Sequence, residues 1–265
     1  MSMKRPLILI SNDDGYQAKG IRELVRMIRH LGDVIICAPE GARSGKSRAF
    51  TMDELTLRPV ATPDADAGGR FSESWYASSG TPVDCVKIAF WRLCPRRPDL
   101  ILGGINHGDN ASTNAHYSGT VGIAFEGAIK DIPSIAFSLC DYDADADFSC
   151  MEQVVKSLCE HALQHGMPKG TFLNVNVPKL SDSEELKGIR MCRMSRGEWL
   201  NEVEQLEERT DEHGNPVYVL RGYYNSREPE AADTDAWALR NGYVAVTPAT
   251  IDITSYDFPP LPSGW

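Results

Sequence analysis

One stretch constrains this chain more than any other: Leu7-Ile8-Leu9-Ile10, followed at once by Ser11-Asn12-Asp13-Asp14-Gly15. Four consecutive apolar residues read as a short strand buried on both faces, the kind found in the middle of a parallel sheet. Gly15 permits a tight exit, because glycine takes positive φ without steric penalty. An amphipathic segment, Ile21 to Leu31, follows. The order strand, loop, helix sets both carboxylates at the carboxyl end of a strand, the edge where open α/β sheets bind ligands. Two adjacent carboxylates there are costly unless something positive lies between them, and hard oxygen donors suit Mg²⁺, Mn²⁺ or Ca²⁺. A solvated Asx turn capping the next helix is the plain alternative. The rest of the chain has to decide between them.

Asp33 to Ala38 is a second buried strand, closed by Pro39, and completes a βαβ unit whose crossover is right-handed. The loop after it contains Ser44-Gly45-Lys46-Ser47. This fragment lacks the first glycine of a phosphate-binding P-loop, and no strong helix follows, so a Walker A site is excluded. The loop still belongs to the same sheet edge as Asp13 and Asp14, within reach of a cation through Ser44. Leu55 to Val60 and Phe71 to Ser78 alternate in polarity around a Pro/Asp/Ala/Gly stretch and predict a hairpin-like excursion over about 51–78. Thr81 and Pro82 fit the N-cap and first position of a helix whose apolar face is Val83, Val86, Phe90 and Leu93.

Asp99 to Ile105 is a third core strand and runs into the polar loop Asn106-His107-Gly108-Asp109-Asn110. Tyr117-Ser118-Gly119-Thr120 then opens a helix over about Val121 to Lys130. Ser118 and Thr120 suit its cap, and its free N–H groups form an anion pocket. Pro133 to Leu139 is the fourth core strand, Met151 to His165 a helix, and Thr171 to Val177 a further strand. This alternation defines an α/β fold, a doubly wound sheet with helices on both faces. The expected organisation is a catalytic core over residues 1–178 and a C-terminal extension over 179–265. In the extension, Ile189 to Met194, Val217 to Tyr223 and Gly242 to Thr247 read as strands, separated by acidic Glu198 to Glu212 and the loop Arg227 to Asp235. Such a β-rich appendage suits an oligomerisation arm.

Composition narrows the function classes. A net charge of −10 over 265 residues argues against nucleic acid or an anionic membrane as a partner. The seven cysteines contain no CxxC and fall mostly inside apolar runs, so reduced core thiols are expected rather than a zinc site. No apolar run approaches the roughly 20 residues of a membrane span. Met1 to Arg5 leads straight into the first strand, which leaves no room for a signal peptide. A reducing, cytoplasmic compartment is expected. The acids of Asp141 to Asp147 imitate a calcium loop, but the glycine and terminal Glu of an EF-hand are missing, and the segment reads as a solvated connection.

Three strand-end loops therefore converge on one edge with Asp13, Asp14, Ser44 and Asn106, and the Ser118-Gly119-Thr120 turn nearby. Two carboxylates, a hydroxyl and an amide make an incomplete all-oxygen shell that water and a substrate phosphate can fill, the usual Mg²⁺ or Mn²⁺ arrangement. The expected chemistry is in-line hydrolysis with Asp13 and Asp14 as catalytic residues that hold the ion, one of them also orienting or deprotonating the water. His107 and His116 lie in the same loop region as candidates for protonating the leaving group.

These stretches also resemble a known family. ILISNDDGYQAKGI, APEGARSGKS, SSGTPVDCVKIAF, PDLILGGINHGDN, YSGTVGIAFEGA and FLNVNVP occur in order, with a weaker GYVAVTP near the end. Together they are similar to the SurE (stationary-phase survival) nucleotidases. The resemblance implies a Rossmann-like fold with a C-terminal arm used in homodimer or homotetramer assembly. It implies metal-dependent hydrolysis of nucleoside 5′- and 3′-monophosphates, with polyphosphate as a further substrate in some members. It maps one divalent ion onto Asp13, Asp14, Ser44 and Asn106, and sets Asn110, Ser118, Gly119 and Thr120 around the substrate phosphate. The family's Gly-Thr-Asp before the final strand reads Asp233-Thr234-Asp235 here. Rival readings are a haloacid-dehalogenase-like phosphatase with an aspartyl nucleophile, a receiver-like signalling module, and a nucleotide sensor without turnover. The first wants a DxD spacing and the second an Asp where Asn106 stands.

Overall fold

The computed structural model describes residues 5–61, 71–181 and 184–259. The Pro/Asp/Ala/Gly stretch between the two alternating segments lies largely outside them, as does the end of the proline-rich tail. The first strand, β1 (Leu7–Ser11), is followed by α1 (Lys19–Ile28), β2 (Asp33–Pro39), β3 (Leu57–Pro59) and β4 (Glu73–Ser78). Helix α2 (Pro82–Ile88) ends in a wide turn over Ala89–Leu93, and β5 (Leu100–His107), α3 (Gly119–Ile129), β6 (Ser134–Leu139), α4 (Glu152–His165) and β7 (Thr171–Val177) come next. The C-terminal part holds β8 (Ile189–Met191), β9 (Gly197–Leu200), β10 (Val203–Thr210), β11 (Pro216–Leu220), β12 (Tyr223–Ser226), α5 (Asp235–Arg240) and β13 (Val244–Thr250).

Among the described residues nine strands form one sheet in the order β3-β4-β2-β1-β5-β6-β7-β13-β8. Every pair from β4 to β7 is parallel. Side chains of a strand alternate between faces, and the core divides accordingly. Ile8 and Ile10 pack with Ile21, Leu24 and Ile28 of α1 and Val155 and Cys159 of α4. Leu7 and Leu9 pack with Cys85 and Val86 of α2 and Ile123 of α3. The doubly wound sheet with helices on both faces follows directly from that double apolar face.

The chain steps from β1 outward to β2 and β4, then returns to the other side of β1 as β5. The switch point thus lies between β1 and β5, where doubly wound sheets open a crevice at their carboxyl edge. Asp13 and Asp14 follow β1 on one side of it; Asn106 lies at the end of β5 on the other.

Three sequence expectations are corrected. Phe71 to Ser78 is no excursion from the sheet: β4 pairs in parallel with β2 over six residues, and Trp75 and Ala77 are buried. The acidic Glu198 to Glu212 is not a plain connection. It forms β9 and β10, which return as β11 and β12 in two nested antiparallel ladders, β10 with β11 and β9 with β12. The loop expected over Arg227 to Asp235 ends in α5, capped by Thr234, whose hydroxyl accepts from the N–H of Trp237. The projecting arm is confined to β9–β12, since β8 and β13 are members of the main sheet and β13 runs antiparallel to β7. No helix among the described residues is long and apolar enough to cross a membrane.

Candidate active site

The turn after β1 is built by its own residues. Asn12, fully buried, donates its amide N–H to the carbonyl of Gly15 at 2.9 Å. Gly15 sits at φ 101°, and a Cβ there would stand 3.2 Å from the backbone of Gly41. The turn is laced to the loop after β2: the N–H of Tyr16 donates to Pro39 O at 2.9 Å and that of Arg43 to Asp13 O at 2.7 Å. Ser44, next in the chain, is thereby brought to the edge of the acidic turn, where it is exposed.

Asp13 is only 3% exposed. The N-terminus of α3 closes on it. Thr120 Oγ1 donates to Asp13 Oδ1 at 2.6 Å. Burial pushes the Asp13 carboxyl above the usual range, and the Thr120 hydroxyl with the backbone N–H groups of Gly119 and Thr120 pulls part of the way back. This contact needs glycine at 119, because a Cβ there would lie 2.8 Å from Asp13 Cβ and 3.0 Å from Asp13 Oδ2. Asp14 is pushed up to about 6, first by burial and then by the charge of Asp13, against a smaller opposing pull from His107.

Asn106 turns its Nδ2 back onto the carbonyls of His107 and Gly108, at 3.2 and 2.8 Å. Among the described residues no donor reaches its Oδ1, which is left for a ligand. Asn110 is different. Its N–H donates to Asn176 Oδ1 at 2.7 Å, its Nδ2 to Ser138 Oγ at 2.8 Å, and its carbonyl accepts from Asn174. It ties the active-edge loop to the ends of β6 and β7. Ser118 caps α3 by accepting from Val121 N–H. The turn expected to greet a phosphate thus spends Ser118 on the helix, and Gly119 and Thr120 on Asp13. His107 lies beside Asp14 with Nδ1 2.9 Å from Asp143 O and its ring edge-on to Phe148; His116 is exposed.

The donor set fits a hard divalent cation. Asp14 Oδ2 and Asn12 Oδ1 are buried without a hydrogen-bond partner, and among the described residues neither carboxylate has an ion-pair partner. Orphaned buried oxygens of this kind are offset by a bound cation or by water, and a carboxylate gains most from the cation. Among the described residues no three His, Cys, Asp or Glu side chains cluster in metal-binding fashion. Neutral oxygens nearby, such as Asn106 Oδ1, which no donor reaches among the described residues, are of the donor type that completes a hard-cation shell together with water.

Two contacts escape sequence reading. Asp235, fully buried at the start of α5, accepts from Ser112 N–H at 2.7 Å, Ser112 Oγ at 2.8 Å and Ser195 N–H at 2.9 Å. Ser112 sits at φ 51°, so Asp235 holds the active-edge loop in a conformation that a non-glycine residue seldom adopts. Trp199 of β9 donates its Nε1–H to Asn114 Oδ1 at 2.9 Å, fastening the arm to the same loop.

A carboxylate pair at the switch point of a doubly wound sheet, with no ion-pair partner among the described residues, places the chain in the class of α/β proteins whose carboxyl-edge crevice can take a hard cation. Within that class the survival protein SurE family model matches residues 8–201. The chain belongs to the SurE family. It is 47% identical over 256 residues to a protein of Phocaeicola vulgatus named 5′-nucleotidase SurE, covering 97% of this chain and 95% of that one. It is 44% identical over 258 residues to the 5′-nucleotidase SurE of Bacteroides fragilis, covering 97% and 96%. The crystal structure of the SurE protein from Aquifex aeolicus superposes with a TM-score of 0.76 at 36% identity, over 95% of this chain and 96% of that one. Family membership removes the haloacid-dehalogenase-like and receiver-like readings.

Proposed function

We propose that this chain is a metal-dependent 5′-nucleotidase that hydrolyses nucleoside 5′-monophosphates to nucleoside and phosphate. The observation that carries the chemistry is the Asp13–Asp14 pair at the switch point, with Asp13 buried, Asp14 Oδ2 without a hydrogen-bond partner, and no ion-pair partner for either carboxylate among the described residues. Asp13, Asp14, Ser44 and Asn106 would hold one Mg²⁺ or Mn²⁺ per chain. A divalent ion bound there neutralises charge developing on the phosphoryl oxygens and lowers the pKa of a water. Asp13 is held in one orientation by Thr120 and the first N–H groups of α3. Asp14, whose Oδ2 has no protein partner, orients the attacking water or accepts its proton. Asn110 and Ser118 act on the substrate phosphate through the loop they brace, and Gly119 and Thr120 through the Asp13 they position.

Nucleoside 3′-monophosphates and short polyphosphates are proposed as further substrates, since an open all-oxygen site recognises the phosphoryl group rather than one ester position. Residues 1–178 serve as the catalytic core, and the arm within 179–265, whose Val203, Tyr218, Leu220 and Tyr223 are exposed, as the homodimer or homotetramer contact. The working compartment is the cytoplasm, in keeping with seven free thiols. Phosphate release from a panel of 5′- and 3′-mononucleotides, with Mg²⁺ or Mn²⁺ and with EDTA, tests the reading. Metal-dependent release abolished by EDTA is expected; release undiminished by EDTA would overturn it.

A further inference from the structure

A cavity of about 320 Å³ opens between the active-edge loop and the arm. Asp109 and Asn114 line it from the loop, Cys140 from the end of β6, and Trp199 and Tyr224 from the arm. We propose that this cavity receives the base of the substrate nucleotide, with the Trp199 indole as its stacking surface. The proposal rests on the 5′-nucleotidase reading and names the part of the substrate that the cation site does not touch.

Position is the first argument. His107 of β5 pairs with Leu139 of β6, and Cys140 follows at once, so the cavity lies on the same carboxyl edge as Asn106. Strand β6 is two places from β1 in the sheet. At about 4.8 Å per strand this puts the cavity roughly 10 Å along the edge from the carboxylate pair. That is the reach of a ribose and base extending from a phosphate held at the switch point.

Chemistry is the second argument. Trp199 and Tyr224 are directly opposed across the β9–β12 ladder, so both rings project from one face of it. The indole is half-buried, and among the described residues no aromatic ring stacks on it. Its bond to Asn114 fixes its plane against the active-edge loop. Asn114 in turn donates to Asp109 Oδ1 at 3.0 Å, and Tyr142 OH donates to Asp109 Oδ2 at 2.9 Å. The Asp109 carboxylate keeps acceptor capacity for the amino or imino edge of a base. An apolar wall with one aromatic face and a few fixed polar atoms is the usual make-up of a small-molecule site. Stacking of this kind tolerates any base, because every base has a π-face.

The test compares wild type, Trp199→Leu and Trp199→Phe, each loaded with Mn²⁺, on the four common 5′-mononucleotides and on p-nitrophenyl phosphate, which has no base or ribose. Trp199→Leu should raise KM for the nucleotides about tenfold, leave kcat/KM for p-nitrophenyl phosphate within twofold, and be largely rescued in Trp199→Phe. Equal losses on both substrate types, or no loss on either, would overturn the proposal. Adenosine alone, titrated against indole fluorescence, reads the same subsite without hydrolysis. A saturable quench in wild type that is missing in Trp199→Phe is expected, and an identical response in both would overturn the subsite. Wild-type protein that quenches with adenosine yet releases no phosphate from any nucleotide would strike the hydrolytic reading while supporting the subsite.

Discussion

Replacing Asp14 by Asn should stabilise the metal-free protein while destroying its function. In the folded chain the Asp14 carboxyl is pushed from 3.8 up to about 6, by burial and then by Asp13. A raised carboxyl pKa means that ionisation is harder folded than unfolded. The group therefore destabilises the fold at any pH above about 6, and the penalty fades as pH falls towards 4. The size of the shift corresponds to about 3 kcal/mol at pH 8, a ceiling because the side chain retains some contact with water. Asparagine is nearly isosteric, carries no charge, and can donate to Asp13. In EDTA at pH 8, Asp14→Asn should melt several degrees above wild type, at roughly 2 °C per kcal/mol for a chain of this size. At pH 4.5 the difference should shrink to about a third of its value at pH 8. Added Mn²⁺ should raise the melting temperature of wild type but not of the variant, since only a protein that binds the ion gains from it. A variant less stable than wild type at pH 8 in EDTA, or a difference that does not change with pH, would refute the reasoning.

Two further outcomes follow from the packing. Gly119→Ala should lower turnover about 10- to 100-fold, because the new methyl must displace Asp13 or the start of α3; Gly41→Ala, which meets nothing within 4 Å, is the matched control measured in the same assay. Asp235→Ala leaves the buried N–H groups of Ser112 and Ser195 without their acceptor, and urea titration should register a loss of about 2–4 kcal/mol together with a fall in kcat.

How much of this was legible in the chain depended on how local the physics was. The buried run Leu7 to Ile10 and the turn after it were readable, because an apolar strand and its exit are fixed within nine residues. The Thr81 cap, with Pro82 at the first helical position, was readable for the same reason. The place of β4 was not, since Glu73 to Ser78 alternates like a half-buried hairpin strand and only its pairing with β2 puts it inside the sheet. The arm hid for the opposite reason. Both faces of β10 are largely exposed, so Val203 to Thr210 carries charge with no apolar period to mark a strand. In the site, the carboxylate pair and Asn106 announce themselves by chemistry and by their strand-end position. The role of Thr120 as partner of Asp13 does not, because the two are 107 residues apart in sequence and a helix terminus suggests an anion pocket as readily as a carboxylate clamp. Asp235 and Trp199 reach the same loop across 123 and 85 residues, and only the folded arm brings them there.

The central claim is that one catalytic cation is held by Asp13 and Asp14. Calorimetric titration of Mn²⁺ into EDTA-stripped wild type and Asp13→Asn, with phosphate release from a 5′-mononucleotide measured on the same samples, tests it most directly. One ion per chain and metal-dependent turnover in wild type, with both lost in a folded Asp13→Asn, is the expected result. Undiminished turnover or unchanged Mn²⁺ affinity in Asp13→Asn would contradict it.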